Sequence, residues 1–212
     1  MPYEKRQYRK KLTSSGLIYL GGEEFSITLS NLSITGVLAE LDDAGQTYNL
    51  EELFKTISLS PIVDIYLDEM RLAGEAEIVR ADLIDGRIYL ALDFRNVEHD
   101  VENMFYVRHA YRKKLEAQGL IVLNGQNYHF TTMNVSVDGL MVSLRGRIEV
   151  EPGTVAAFNF KRLDLLGEVK VVWVNYQDGN TLLGLEYNYL EKTFVMGIPR
   201  FAPRHNGAVN KG

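Results

Sequence analysis

The sequence predicts a mainly β protein made of two small antiparallel barrels in tandem. Three observations carry this. A stretch about one domain long occurs twice. Each copy is a series of short apolar segments separated by turn residues. No apolar run approaches the ~20 residues of a membrane span.

The duplication comes first. Residues 9–20 read RKKLTSSGLIYL and residues 112–123 read RKKLEAQGLIVL. At an offset of 103, Arg9, Lys10, Lys11, Leu12, Gly16, Leu17, Ile18 and Leu20 all recur. The match continues without gaps to Asn31–Gly36 against Asn134–Gly139. A period this long is duplication of a whole domain, not a solenoid repeat of roughly 20–50 residues. The expected domains are 1–103 and 104–198, with 199–212 a polar, frayed tail.

The elements follow in order. Leu17–Leu20, Glu24–Leu29 and Gly36–Leu41 are strand-like, bounded by Gly21-Gly22, the Asn31–Gly36 turn and Asp42–Gly45. Their partners are Leu120–Leu123, Tyr128–Thr132 and Leu140–Leu144. Ala73–Val79 then aligns with Leu166–Val172, and both copies reach an Asp-Gly hairpin turn, Asp85-Gly86 and Asp178-Gly179. Here the offset is 93, so the first copy carries about ten extra residues between its third and fourth strands. They fall within Gln46–Pro61, where Asn49–Ile57 has the pattern of a short capped helix. Short helices are also expected at the barrel ends, at Val97–Phe105 and Leu190–Met196. Closure into barrels removes the exposed edges of an open sheet.

Charge is uneven. Residues 1–103 hold 10 Lys and Arg against 19 Asp and Glu, a net −9, and residues 104–212 hold 13 against 9, a net +4. Neither half is basic enough to suggest a nucleic-acid binder. The chain has no Cys, which excludes disulfides and thiolate metal sites. The N-terminal MPYEKRQYRKKL lacks an apolar core, so a signal peptide is not expected and a cytoplasmic location is.

Two elements recur together. One is a pair of basic residues four apart, Arg108 and Arg112, matched by Lys5 and Arg9. The other is Asn-x-Ser-x-x-Gly, at Asn134, Ser136 and Gly139 and at Asn31, Ser33 and Gly36. The spacing from the second basic residue to the Asn is 22 in both copies. Guanidiniums can pair bidentately with a phosphate or with the O6/N7 edge of guanine, or stack on a base. Asn and Ser supply short donors and acceptors, and Gly permits close backbone approach or a positive φ. Each element alone has an ordinary reading, a local turn or a solvated face. Their joint recurrence at fixed spacing points to a site, although duplication could also preserve a structural turn.

On these motifs, and on the closing strand Gly184–Leu190, the sequence resembles two tandem PilZ domains over nearly all of residues 1–198. The resemblance implies six-stranded β-barrels that bind cyclic di-GMP. It implies that Arg108 and Arg112 grip guanine edges and phosphates, that Asn134 and Ser136 hydrogen-bond a guanine, and that Gly139 holds the loop. In the first copy Lys5 replaces the first Arg and offers no fork. Arg6 is one position off, which leaves Lys5, Arg6, Arg9, Asn31, Ser33 and Gly36 as a second candidate site. The expected function is a receptor that acts on a downstream protein partner through a change in interdomain arrangement. A tandem-barrel scaffold is the alternative, and a homo-oligomer is left open.

No enzyme is expected: no acid, base and nucleophile set assembles, and GxxxxGK(S/T), GxSxG and GxGxxG are missing. His99, His109, His129 and His205 have no metal spacing, so neither metal nor cofactor is expected. Asp42-Asp43 and Asp68-Glu69 read as solvated turns. Leu53, Phe54 and Ile57 read as covering their own barrel, and Trp173 as core or barrel wall.

Overall fold

The computed structural model describes residues 14–42, 50–99, 110–192 and 195–201. They divide into two compact units. One comprises the described residues up to 99 together with Phe201, and the other runs over 110–200. Both are closed six-stranded antiparallel barrels. Among the described residues no helix is long and apolar enough to cross a membrane.

In the first unit β1 (Ser14–Leu20), β2 (Glu23–Leu32) and β3 (Gly36–Leu41) form a meander. Helix α1 (Leu50–Leu59) follows, then β4 (Ile62–Leu67), β5 (Leu72–Ile84) and β6 (Arg87–His99). The strand order is β1-β2-β3-β6-β5-β4, closed by pairing of β4 with β1. Alternation builds the interior. Ile18, Ile27, Leu29, Ala39 and Leu90 are all within 1 % of full burial, and their neighbours along each strand turn away from the core, whereas in β4 Asp64 and Tyr66 on either side of Ile65 are buried as well. The insert is the helix, lying between the third and fourth strands as its sequence position requires. Leu53 and Ile57 join the core, each burial contributing roughly 2 kcal/mol.

The second unit repeats this without the helix. Two residues of β7 (Lys113–Lys114) lead into β8 (Gln118–Leu123), β9 (Gln126–Val135) and β10 (Gly139–Arg145). Then come β11 (Val155–Phe160), a 3₁₀ turn at Lys161–Leu163, β12 (Leu165–Gln177) and β13 (Asn180–Leu190). Pairing of β10 with both β9 and β13 closes the ring, and β7 pairs with the end of β9, at Asn134 and Val135, beyond the stretch paired to β8. Phe130 and Phe160, with centroids 6.0 Å apart, fill the interior. Both Asp-Gly turns have positive φ at each central residue, 51° and 76° at Asp85-Gly86 and 52° and 75° at Asp178-Gly179. That is the left-handed geometry a two-residue hairpin needs.

The expected barrel-end helices are not found among the described residues. Val97 and His99 remain paired to Gly74 and Leu72, so the strand captures the start of the first of them, and its remainder, 100–105, lies outside the described residues. β13 runs to Leu190, paired to Gly167, and is followed by a bend and turns. Phe201, within the stretch read as a frayed tail, is fully buried. It stacks on Tyr66 with centroids 6.0 Å apart, and its amide donates to Glu24 Oε1 at 3.1 Å.

Candidate functional site

On the second barrel the site is assembled where β7 lies beside β9. The segment before β8 is tied down by Thr132, which is fully buried. Its hydroxyl donates to the Leu115 carbonyl at 2.6 Å and accepts from the Ala117 amide at 3.0 Å. That anchorage, with Lys114 paired to Asn134, brings Arg112 over the end of β9. Arg112 Nη1 donates to Asn134 Oδ1 at 3.2 Å, and Asn134 Nδ2 lies 3.7 Å from Met141 Sδ. The structure therefore joins two candidate residues that stand 22 positions apart in the chain. Arg108 lies outside the described residues.

Ser136 is 2 % exposed and works inside the loop. Its hydroxyl donates to the Gly139 carbonyl at 3.1 Å and accepts from the amides of Gly139 and Asp138 at 3.2 and 3.3 Å. Gly139 is needed for a different reason from a turn glycine. A Cβ there would lie 2.0 Å from the Leu185 carbonyl oxygen of the adjacent strand.

Asp138, in the same loop, accepts the Tyr187 amide on its carbonyl at 3.0 Å. Its carboxylate lies 3.5 Å from Arg200 Nη2. The Tyr187 phenol oxygen is buried with no hydrogen-bond partner among the described residues. Burial pushes its pKa far up, Arg112 pulls it partly back and Asp138 adds to the rise. It stays neutral.

The first barrel repeats the loop. Ser33 Oγ donates to the Gly36 carbonyl at 3.0 Å and accepts its amide at 3.1 Å, and a Cβ on Gly36 would lie 2.1 Å from the Leu92 carbonyl. Asn31, Ser33 and Gly36 line a cavity of about 400 Å³ together with Leu38, Arg80 and Ala91. Asn31 Oδ1 is buried without a partner among the described residues. Lys5, Arg6 and Arg9 lie outside those residues.

Of the two readings of Trp173, core or barrel wall, the structure has the wall: the residue lies in β12 and is 36 % exposed on the outer face. The cause is a β-bulge between Val171 and Trp173, which leaves Val172 unpaired and breaks the inward-outward alternation. In register, Trp173 faces Gly184, Gly184 faces Met141 and Met141 faces Asn134. The row spans three strand spacings, about 14 Å. A Cβ on Gly184 would lie 2.1 Å from Trp173 Nε1, so the indole occupies the space over that glycine. The first barrel keeps the bulge but places Arg80, Ala91, Leu38 and Asn31 in the equivalent row.

Among solved structures the chain is similar to the PlzA protein of Borreliella burgdorferi in complex with c-di-GMP. Identity is 11 %, with 90 % of this chain and 89 % of that one covered at a TM-score of 0.30. It is also similar to the Bacillus subtilis inhibitor of motility, at 13 % identity, 85 % and 90 % coverage and a TM-score of 0.35. A third is YcgR in complex with c-di-GMP from Escherichia coli, at 9 % identity, 88 % and 87 % coverage and a TM-score of 0.32. Nothing among curated proteins matches the chain. The PilZ domain family model matches residues 106–196. Those residues take in the basic pair, the Asn-x-Ser-x-x-Gly loop and all six strands of the ring, so it is the second barrel that carries the similarity to the PilZ domain family.

Proposed function

We propose that this protein is a cyclic di-GMP receptor that binds the dinucleotide on its second barrel and passes the signal to a partner protein. The observation that carries this is the Arg112–Asn134 hydrogen bond on the surface of the barrel that is similar to the PilZ domain family. It presents a guanidinium and a carboxamide side by side, the pairing suited to a phosphate and a guanine edge. In this reading Arg108 and Arg112 hold phosphates and guanine edges, and Asn134 bonds a guanine. Ser136 and Gly139 fix the loop that presents them. Trp173 offers a flat face for a base at the other end of the row. The protein acts by binding, not by catalysis.

Calorimetry on the intact chain is expected to show one saturable cyclic di-GMP site. Trp173→Ala is expected to weaken it about tenfold, the loss of one base–aromatic stack. Two equivalent sites would extend binding to the first barrel. The absence of binding would sink the receptor reading and favour the scaffold.

Arg108 stands in the segment that joins the two repeats in sequence. Ligand neutralising Arg108 and Arg112 would favour one interdomain arrangement through its preference for that state. Small-angle scattering curves that superimpose with and without saturating ligand would refute this step.

A further inference from the structure

The residues that follow the last strand bring a third guanidinium to the candidate site. Arg200 lies beyond residue 196, where the PilZ match stops. Two contacts hold it against the two halves of the site. Its carbonyl accepts the Tyr111 amide at 3.2 Å, which fixes its backbone beside the residue that precedes Arg112. Its Nη2 lies 3.5 Å from Asp138 Oδ1, in the loop that runs from Asn134 to Gly139. The Arg200 side chain is 56 % exposed and that of Asp138 is 45 % exposed, so both can reach a ligand. The segment behind Arg200 is anchored, since Val195 and Ile198 are buried in the barrel core cluster.

Charge supports a ligand role. An exposed carboxylate in a loop that receives a dianionic dinucleotide would repel it. Arg200 offsets that charge with a guanidinium, a group that makes charge-assisted hydrogen bonds to phosphate. The surface pair by itself adds little stability, so loss of Arg200 has small cost to the fold.

We propose that Arg200 is a third phosphate-binding cation of the dinucleotide site, held in position by Asp138. This rests on the receptor reading. The test is calorimetric titration of cyclic di-GMP into the full chain at low and high salt. Arg200→Ala is expected to weaken binding about tenfold, the value of one charge-assisted contact, and to make the affinity less salt-dependent. Arg200→Lys is expected to recover part of the affinity. The Asp138→Asn/Arg200→Ala double variant is expected to remain weak. Wild-type affinity and salt dependence in Arg200→Ala would overturn the proposal. Full recovery in the double variant would also overturn it, since Arg200 would then only mask Asp138. If the unaltered chain binds no cyclic di-GMP, the receptor reading falls and this one falls with it. If the unaltered chain binds and Arg200→Ala binds equally well, only the Arg200 assignment is lost.

Discussion

With Arg108 and Arg112 both replaced by Ala, the full chain is expected to lose cyclic di-GMP affinity by about a hundredfold or more. Each guanidinium would make charge-assisted hydrogen bonds with a net value of about 1.5–3 kcal/mol, and two such losses reach that figure. Arg112 has a second effect. Its bond to Asn134 Oδ1 orients the carboxamide, so its removal also releases a neighbouring ligand group. Losses at contacting residues of this kind are not additive. Arg112→Lys is the informative control, because it keeps the charge and loses the planar fork. Calorimetry should rank the lysine variant between wild type and the double alanine variant. Equal affinity in wild type and the double variant would remove the basis for the site.

Gly139→Ala is expected to be the most destabilising small change in the loop, at about 3 kcal/mol. For a unit of about 100 residues this lowers the melting temperature of the second barrel by about 12 °C or more. The new methyl would meet the Leu185 carbonyl at 2.0 Å, and that oxygen belongs to a strand paired along its length to β10. Neither strand can retreat without breaking the ladder that closes the barrel. Gly36→Ala should destabilise the first barrel by a similar amount, since its methyl would lie 2.1 Å from the Leu92 carbonyl. Scanning calorimetry checks both, and a Gly139→Ala protein that melts with wild type would refute the account. The same motif glycine is thus a packing requirement in both barrels, independent of any ligand.

Much of the architecture was legible because local pattern and duplication agreed. The Asn-x-Ser-x-x-Gly turns, the Asp-Gly hairpins and the inserted helix all depend on local sequence, and all stand where the residues imply. The role of Gly139 was not legible, because it depends on the carbonyl of a strand 46 residues away in the chain. The outward face of Trp173 is illegible for a related reason. Val169–Val174 looks like a continuous apolar strand, and no residue in it announces the bulge that turns the indole outward. At Val97–His99 long-range strand pairing outcompetes local helical preference, and the rest of that expected helix, 100–105, lies outside the described residues. Arg200 escaped notice because a polar stretch containing Pro and Gly gives no sign that Val195 and Ile198 will anchor it.

Phe201 sets how the protein can be taken apart. It is fully buried in the first unit, stacked on Tyr66 and bonded to Glu24, although it comes from the opposite end of the chain. A fragment cut after the first repeat would lack this ring, and Tyr66 would lose the aromatic surface that covers it. Such a fragment would be an incomplete barrel, and a failure to bind or to fold would say little about the intact molecule. Dividing labour between the two barrels therefore calls for point substitutions in the unbroken polypeptide, not for dissection into halves.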